Sequence, residues 1–484
     1  MTGQRKAHIA VIDIGKTNVK LALVDLVSRT ELAVETQANR VLPGPPWPHF
    51  DVATQWAFLR GALARAQARH PIDGIVVTTH GACAALLDRS GALAAPVLDY
   101  EHPGPEATGA AYDALRPPFE QTGSPALPLG LNLGAQLFWQ LQTEPGLAQR
   151  VHQVVTWPQY WAYLLTGQTA CDVCSLGCHT DLWDPHRGTW SDLPMRLGLA
   201  DKMAAARKPA EVLGTLLPGL QAETGIQAVP VLCGIHDSNA SLLPHLAARD
   251  APFSVVSTGT WVVAMAVGGG PVALDPARDT LINVSAHGMT VPSARFMGGR
   301  EHDLIRGDAA TVATLADADD VVKGAIMLLP SVVPGCGPFP GQTHRWTAPA
   351  TPGQIEVAMG YYLALMTAEC LSLIGADGPT MIEGPFAANP WFLAMLQAAT
   401  GRVVTPSTDR TGTAVGAALL FDTTIPRLHQ SAACHPDSAL MRYAAAWRDS
   451  RPPDERAHSG HQSDRGRNAA AADPPEAHRR GRSP

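Results

Sequence analysis

The sequence contains few cysteines, little excess charge and no long apolar run, and each shortage excludes a class of protein. Only 8 cysteines occur among 484 residues, too few for a disulfide-bonded framework. The formal net charge is −7 and no basic stripe is present, so nucleic acid is not expected as a partner. No apolar run approaches the roughly 20 residues that a membrane-spanning helix needs, so a membrane partner is not expected either.

What remains is the composition of an ordinary globular protein. Hydrophobic residues make up 46% of the chain and charged residues 16%, and the length favours more than one domain. The first residues, MTGQRKAHIAVID, lack the apolar core and the cleavage site of a secretory signal. We therefore expect a cytoplasmic protein.

The segment CDVCSLGCH places three cysteines, Cys171, Cys174 and Cys178, beside His179. Such a cluster can indicate a zinc site or a redox pair. No second CxxC or histidine pair follows at metal-ligand spacing, however. We favour small buried residues with one polar histidine, and the metal or redox site is the alternative.

The chain divides into two halves of similar pattern and a polar tail. Residues 1–247 and 248–446 each open with two apolar runs that flank a corner rich in glycine and threonine. This repetition predicts a duplicated α/β domain with a cleft between the copies. In the second half, VAMGYYLALMTAECLSLIGADG is predicted to form an amphipathic helix. Residues 447–484 have few large apolar side chains and much proline, arginine and aspartate, which predicts a disordered tail.

The first corner lies in IAVIDIGKTNVKLALVD, residues 9–25. A hairpin turn needs only Asn-Gly or Asp-Gly, but this corner contains Asp13, Gly15, Lys16, Thr17 and Asn18. It is not a P-loop, because the first glycine of that motif would fall at Ala10. A tight turn can instead direct backbone N–H groups at phosphate, with Asp13 placed to hold magnesium. The alternative is a polar hairpin with an exposed lysine.

The second corner is STGTW, residues 257–261. Gly259 and Thr260 could face phosphates in the same way, although Ser-Thr-Gly turns are common. Two matched corners at the heads of two domains would hold a polyphosphate from both sides of a cleft.

The segment GIHDSN places Asp237 after a strand and at the predicted start of a helix. An aspartate there has two interpretations. It is a favoured N-cap residue, and it could also be a general base that accepts the proton of a substrate hydroxyl during phosphoryl transfer. The neighbouring His236 would then orient it or contact the substrate.

Two loops at strand ends, in TTHGACAALLD and PVLDYEH, are rich in polar side chains: His80, Asp99, Tyr100, Glu101 and His102. Ligands bind at such strand ends in α/β sheets. Hydrogen-bonding groups mixed with aromatic rings suit a sugar or another polyol. The alternative is a set of solvated loop residues.

These segments occur in an order that resembles the FGGY family of carbohydrate kinases. The matching segments are IDIGKTNVKLALVD, THGA, GIHDSNASL, STGTW, EGPFAANPWFLAMLQAATGRVV and TGTAVGAALL. The resemblance covers roughly residues 8 to 440. It implies two duplicated ribonuclease-H-like α/β domains of the actin, Hsp70 and sugar-kinase superfamily, with a cleft between them.

The resemblance also implies a role for each matching residue. Asp237 would be the catalytic base, and Asp13 would lie beside the magnesium ion of Mg·ATP. Phosphate contacts would come from Gly15, Lys16, Thr17, Asn18, Gly259 and Thr260. The sugar would contact His80, Gly81, Ala82, Asp99, Tyr100 and His236. The adenosine loop would comprise Gly384, Pro385, Phe386 and Asn389, where Gly-Pro-Phe replaces the glycine run of many members and the proline removes a donor.

The implied activity is ATP-dependent phosphorylation of a hydroxyl of a small ketose. The segments are most similar in style to kinases of L-rhamnulose, L-fuculose and pentuloses. The methyl group of a 6-deoxy-ketohexose would need an apolar pocket, for which Trp47, Phe50 and Trp261 are candidates. A member that binds sugar without phosphorylating it is the alternative, and the resemblance leaves a homodimer open.

Overall fold

The computed structural model describes residues 7–306, 311–407, 412–422 and 436–451. The first half is built on a seven-stranded sheet whose central strand, His8–Ile14, runs antiparallel to one neighbour and parallel to the other. Its strands, in spatial order, are Val212–Thr215, Pro230–Leu232, Gly74–Thr79, His8–Ile14, Asn18–Asp25 and Thr30–Ala38, with Ile235–His236 also paired to Gly74–Thr79.

The second half repeats this arrangement in a six-stranded sheet. Strand Phe253–Thr258 is antiparallel to its hairpin partner and parallel to the strand on its other side, as His8–Ile14 is in the first sheet. The spatial order is Thr280–Val284, Thr290–Phe296, Val262–Val267, Phe253–Thr258, Thr380–Glu383 and Val404–Pro406. The predicted duplication of an α/β unit is therefore confirmed.

Helices and short strand pairs cover the two sheets. The helices of the first half are Val52–Arg69, Gly109–Asp113, Phe119–Thr122, Leu133–Thr143, Leu147–Arg150, Trp157–Thr166, Val173–Leu176, Leu193–Arg196, Pro218–Thr224 and Asp237–Ala248. Those that follow are Gly298–Arg306, Leu315–Lys323, Pro352–Leu373, Pro390–Thr400, Thr413–Ala418 and Ser438–Asp449. The strand pairs are Val41–Leu42 with His49–Phe50, Ala84–Leu87 with Gln153–Thr156, Cys171–Asp172 with Ala206–Arg207, Trp183–Asp184 with Thr189–Trp190, and Leu328–Leu329 with Arg345–Trp346. Within the described ranges, every helix is too short or too polar to cross a membrane.

The long helix of the second half, Pro352–Leu373, is buried on nearly all of its circumference. It packs on the second sheet with one side and on the helices Leu315–Lys323 and Pro390–Thr400 with others. The prediction of an amphipathic helix is therefore right about the helix and wrong about its amphipathicity, because neighbouring helices cover the face that would otherwise meet solvent.

The short helix Thr413–Ala418 lies in the core of the first half, although the chain division at residue 248 assigns it to the second. It crosses the helix Asp237–Ala248 where Gly416 meets the carbonyl of Ala240. Pro244 lacks the N–H that would normally bond this carbonyl inside the helix, and Gly416 lacks a side chain that would collide with it. The crossing can therefore be closer than most helix contacts.

The predicted start of the disordered tail is wrong by a few residues. Trp447 lies in the helix Ser438–Asp449, is buried in the second core and donates its indole N–H to the carbonyl of Leu328 at 2.8 Å. Trp447 and its buried hydrogen-bond partner therefore extend the folded part of the chain into the segment whose composition predicts disorder. Residues 452–484 of the predicted tail lie outside the described residues.

The cysteines of the CDVCSLGCH segment are buried, as predicted. Burial raises the pKa of the Cys171 and Cys178 thiols to about 12, so both are protonated near neutral pH. Asp172 accepts backbone N–H bonds from Cys174 and Ser175 and thereby caps the short helix that carries them. The segment is part of the first core.

One carboxyl group is buried in the second half. Glu301, on the helix Gly298–Arg306, accepts a bond from the Val333 N–H at 3.0 Å and another from the Tyr362 hydroxyl at 3.0 Å. Burial raises the pKa of Glu301 to about 7, although both hydrogen bonds act in the opposite direction. The folded state therefore retains a proton on this residue that an unfolded chain releases at lower pH.

We expect Gly416→Ala to lower the free energy of unfolding by about 1–3 kcal/mol, because the new methyl group overlaps the Ala240 carbonyl oxygen. Urea titration followed by circular dichroism measures the change. Gly219→Ala is the matched control, since this helical glycine has open space where a Cβ would lie. Equal stability of the two variants would contradict the close crossing.

We expect the stability contributed by Glu301 to fall as pH rises from 4.5 through about 7, because only the folded state binds the proton in this window. The shift corresponds to an upper limit of about 3 kcal/mol. Glu301→Gln should remove this dependence and be the more stable protein at pH 8. Urea titrations at pH 5.5 and 8 test it, with the exposed Glu223→Gln as control, and parallel pH profiles for wild type and Glu301→Gln would refute it.

Candidate active site

The first corner is held in place by Asn39, which directly follows the strand Thr30–Ala38. The Gly15 N–H donates to the Asn18 carbonyl at 2.9 Å, which closes the turn. Asn39 donates its side-chain amide to the Gly15 carbonyl at 2.8 Å and its backbone N–H to the Thr17 carbonyl at 2.8 Å. Gln55 in turn donates to the Asn39 side chain. The tip of the turn, Thr17 and Asn18, is thereby fixed and left exposed.

The Lys16 side chain leaves the corner and reaches the loop predicted to bind sugar. Its ammonium pairs with the Asp99 carboxylate and lies 3.0 Å from a carboxylate oxygen of Glu101. It also lies 4.8 Å from the centre of the Tyr100 ring and 5.5 Å from that of Phe50. The positive charge expected at the phosphates is thus shared with the sugar loop, a contact that sequence spacing does not reveal.

Asp13 lies at the end of the central strand beside the corner and is half-buried. The Lys20 ammonium is 3.2 Å from its Oδ2. Burial raises the pKa of Asp13, Lys20 counteracts this effect, and the nearby carboxylate of Asp237 adds to it. Two carboxyl groups therefore lie close enough to repel each other, which favours a cation between or beside them.

Asp237 is the first residue of its helix, and it is not the N-cap. The N-cap position belongs to His236, whose backbone is extended and whose side chain makes no capping bond. The Asp237 carboxylate accepts the Ser238 N–H at 2.6 Å and is half-buried. Burial raises its pKa, and the neighbouring His80 counteracts the shift. Simple helix capping therefore does not account for this residue.

The short strand Ile235–His236 explains why Asp237 lies beside the THGA loop. It pairs in parallel with Thr78 and Thr79, so both segments end at the same edge of the sheet. His236 is buried, and its Nε2 is 3.3 Å from Oδ1 of Asp237. Burial lowers the pKa of His236 to about 4, so the ring is neutral near pH 7 and the contact is not an ion pair.

Gly81 makes room for this histidine, since a Cβ at that position would lie 2.8 Å from Nε2 of His236. The other ring nitrogen, Nδ1, is 3.5 Å from the side-chain amide of Asn239. Ala82 is buried with a positive φ of 57°, and its carbonyl accepts a bond from Gln136 at 2.5 Å. Asn239 and Gln136 are site residues that the sequence analysis missed.

His80 presents a buried acceptor without a partner among the described residues. Its Nδ1 is 2.8 Å from the Gly81 carbonyl, which can only accept, so Nδ1 carries the proton and Nε2 is the acceptor. Nε2 is buried and has no hydrogen-bond partner. The rings of Phe50, Tyr100 and Trp157 surround the imidazole at 5.3, 5.1 and 6.4 Å. Burial lowers the pKa of His80, which keeps this acceptor neutral.

The second half contributes a cation to the same region. The Arg295 guanidinium lies 4.9 Å from the ring centre of Trp261, and its Nε donates to Asp279 at 3.3 Å. Burial and, to a smaller extent, the charge of Arg295 lower the pKa of His179, in the first half, to about 4. The sequence analysis did not single out Arg295.

The second corner packs against the predicted adenosine loop through Thr258. The Thr258 hydroxyl donates to the Glu383 carbonyl at 2.5 Å and accepts the Phe386 N–H at 3.1 Å. Gly384 has φ +81° and ψ −166°, and a side chain there would overlap the Thr258 carbonyl. Only glycine fits both the conformation and the contact. Gly259 and Thr260 are exposed at the turn itself.

The Gly-Pro-Phe departure from the family pattern has a structural explanation. Pro385 is the first residue of the 3₁₀ turn Pro385–Ala388, where a backbone N–H would have no intrahelical partner. Phe386 is buried and packs 5.5 Å from the ring of Phe392. Asn389 caps the next helix by accepting the N–H groups of Trp391 and Phe392. Its side-chain oxygen therefore has a structural role.

The predicted residues thus form two groups. The first lies on the first half and contains Asp13, Lys16, His80, Gly81, Ala82, Asp99, Tyr100, His236 and Asp237, near the exposed corner tip. The second lies on the second half and contains Gly259, Thr260, Gly384, Pro385 and Phe386 around Thr258. Arg295 and Trp261 stack on each other in the second half, and the charge of Arg295 acts on His179 of the first half.

Comparison with known proteins is consistent with this two-part architecture. Residues 8–244 match the N-terminal domain of the FGGY family of carbohydrate kinases, and residues 250–430 match the FGGY carbohydrate kinase C-terminal domain. Among curated proteins, the chain is 28% identical over 271 residues to an L-fuculokinase from Salmonella typhi. That match covers 53% of this chain and 56% of the relative, so the chain spans about half the length of the curated relatives it matches.

Solved structures match over a longer range. A carbohydrate kinase from Novosphingobium aromaticivorans is 37% identical with a TM-score of 0.85, over 91% of this chain and 99% of that one. A xylulose kinase from Rhodospirillum rubrum, 20% identical with a TM-score of 0.70 over 91% of this chain and 97% of its own, shares the fold. The implied two-domain sugar-kinase fold of the actin and Hsp70 superfamily is thereby confirmed. The chain belongs to the FGGY family of carbohydrate kinases.

Proposed function

We propose that this protein transfers the γ-phosphoryl group of ATP to a hydroxyl of a small ketose, with Asp237 as the general base. The observation that carries the proposal is the setting of Asp237. A half-buried carboxylate with a raised pKa lies at a helix start, next to neutral His236 and close to Asp13. A base of this kind suits proton abstraction near neutral pH.

The sugar would bind in the first half between the His80 loop and Tyr100. The free Nε2 of His80 can accept a hydrogen bond from a sugar hydroxyl, which would satisfy the buried acceptor. The Asp99 and Glu101 carboxylates, already paired with Lys16, offer further acceptors. The rings of Phe50 and Tyr100 supply an apolar wall suited to a methyl group.

The phosphates of ATP would lie between the two corners. Gly15, Thr17 and Asn18 border the first corner, and Gly259 and Thr260 border the second. Backbone N–H groups in tight turns favour anions, and glycine allows close approach. The nucleoside would extend along the loop Gly384–Asn389, which packs on the second corner through Thr258.

Asp13 fits a role in holding magnesium. It offers hard carboxylate oxygens, and its raised pKa reflects burial and a second nearby carboxyl group, a setting that a divalent cation stabilises. Kinase sites often hold magnesium by one or two carboxylates together with substrate phosphates. When bound, the ion would neutralise charge on the phosphates.

In the chemical step, Asp237 accepts the proton of the attacking sugar hydroxyl while the oxygen of that hydroxyl bonds to the γ-phosphorus. The bond between that phosphorus and the bridging oxygen breaks, and ADP leaves with the electron pair. The neutral His236 ring and the Ser238 N–H hold the carboxylate in place. Closure of the two halves would exclude water as a competing acceptor.

We expect Asp237→Asn to lower turnover by about 10²- to 10⁴-fold, because the amide cannot accept the proton. Affinity for ATP should change little. The measurement is steady-state ADP release, with ATP binding followed by calorimetry. Asp192→Asn is the control, since Asp192 likewise lies at the start of a helix of the first half, as its N-cap, but is exposed and makes no capping bond. Unchanged turnover in Asp237→Asn would refute the assigned base.

We expect ADP release above the no-sugar rate with L-fuculose or L-rhamnulose, since the Phe50 and Tyr100 rings suit a 6-deoxy methyl group and one relative is an L-fuculokinase. A coupled assay with Mg·ATP should also include the ribuloses, the xyluloses, erythritol and glycerol. Activity confined to pentuloses would reject the methyl pocket. Stabilisation by a sugar in thermal-shift assays without any ADP release would instead indicate a sugar-binding protein without kinase activity.

A further inference from the structure

Three side chains form a chain of hydrogen bonds between the two halves. Nε2 of His245 lies 2.6 Å from Oε1 of Glu383, and Nδ1 of His245 lies 3.1 Å from Nη1 of Arg249. His245 and Arg249 belong to the helix Asp237–Ala248 and its C-cap, whereas Glu383 ends a strand of the second sheet. His245 is buried and Glu383 is mostly buried.

The chemistry of the partners fixes the direction of these bonds. A guanidinium can only donate, so Nδ1 of His245 must accept from Arg249. The proton of the neutral imidazole is then on Nε2, which donates to the carboxylate of Glu383. The Arg249 guanidinium, the neutral His245 ring and the Glu383 carboxylate are thus linked one after another by hydrogen bonds. Both ring nitrogens have a partner although the ring carries no charge.

Glu383 connects to the nucleotide segments through its own backbone. Its carbonyl accepts the Thr258 hydroxyl, which also accepts the Phe386 N–H. The next residue is Gly384, whose close contact with Thr258 excludes any side chain. Glu383 therefore contacts the catalytic helix through its carboxylate and Thr258 through its carbonyl, and Thr258 in turn bonds the adenosine loop.

The other end of the connection is the helix that begins with Asp237. His245 lies eight residues along this helix, roughly 12 Å from Asp237 at the standard helical rise. Arg249 caps the same helix immediately before the chain enters the second sheet at Phe253. The three side chains therefore lie at the joint between the halves, and a rotation of one half against the other moves Glu383 relative to His245 and Arg249.

We propose that His245 is a positioning residue that couples nucleotide binding in the second half to the orientation of the catalytic helix. This inference rests on the proposed kinase function. The hydrogen bond to Glu383 holds the helix at the angle at which Asp237 faces the γ-phosphoryl group, and the bond from Arg249 fixes the tautomer of His245. Misplacement of a catalytic group by about 1 Å can reduce turnover by about 100-fold, so a small rotation is sufficient.

Steady-state kinetics of two substitutions at one position provide the first test. His245→Leu removes both hydrogen bonds at similar volume, and we expect it to lower kcat by about 10- to 100-fold. The KM for the sugar should stay within about twofold, because His245 bonds Glu383 and Arg249 and none of the proposed sugar-binding residues. His245→Gln retains one acceptor and one donor and should restore most of kcat.

Ser241→Ala is the matched control. Ser241 lies on the same helix and bonds Thr413 at 3.2 Å, a residue that packs with the first half. Its loss removes one hydrogen bond of this helix without touching the connection to Glu383. Its kcat should remain near that of wild type. Equal losses in Ser241→Ala and His245→Leu, or failure of glutamine to restore activity, would indicate a merely structural histidine.

Hydrogen–deuterium exchange provides a test that needs no sugar substrate. The probe is the non-hydrolysable analogue Mg·AMP-PNP. In wild type it should slow exchange both in the loop Gly384–Asn389 and in the helix Asp237–Ala248. In His245→Leu, and in Glu383→Leu as an independent variant that removes the acceptor, protection of the loop should persist while protection of the helix is lost.

The outcomes separate the two proposals. Loop protection with equal helix protection in wild type and variants would overturn the coupling role and leave the kinase proposal intact. Absence of loop protection in wild type would overturn nucleotide binding and, with it, the coupling. Loss of helix protection in the variants, together with restoration of kcat by His245→Gln, would establish the coupling role of His245.

Discussion

The position of the helix Asp237–Ala248 is the constraint on which the candidate site depends. Its first residue is set by the parallel pairing of Ile235–His236 with Thr78 and Thr79, which places Asp237 beside the His80 loop. Its middle is fixed by the close approach of the Ala240 carbonyl and Gly416. Its last turn bonds Glu383 of the second half through His245. One rigid element therefore connects the proposed base, the first core and the nucleotide segments.

Burial and nearby charges set the protonation states of the carboxyl groups and imidazoles in the candidate site. Burial raises the pKa of Asp13 and Asp237, the charge of Asp237 adds to the shift of Asp13, and burial lowers the pKa of His80 and His236. The region therefore combines carboxyl groups that gain from a cation with imidazoles that stay neutral and can orient a partner. Lys16 is largely compensated by Asp99 and Glu101, so its charge connects the phosphate corner to the sugar loop. Such paired shifts are common at catalytic sites.

The duplicated sheet explains how two corners can act on one substrate. In each half the hairpin and its parallel neighbour have the same pairing pattern, so each half presents a corner at the same end of its central strand. The halves then differ in what surrounds the corner. The first is surrounded by carboxylates, imidazoles and aromatic rings, and the second by Thr258, Gly384 and the turn that begins at Pro385. These different surroundings are the basis on which we propose that the first half binds the sugar and the second binds the nucleotide.

The sequence by itself determined the two hairpins, the duplicated sheet, the family and the location of Asp237, because these depend on local apolar patterns and short motifs. The sequence did not determine which distant residues the long polar side chains contact. Lys16 meets Asp99, 83 residues away, and His245 meets Glu383, 138 residues away, and such contacts exist only after both halves have packed. Arg295, Asn39 and Gln136 were missed for the same reason. Long-range packing also places the helix Thr413–Ala418 in the first core and Trp447 in the second core. Tertiary packing also decided that Asp237 is not a helix cap, since the N-cap depends on backbone angles imposed by the neighbouring strand.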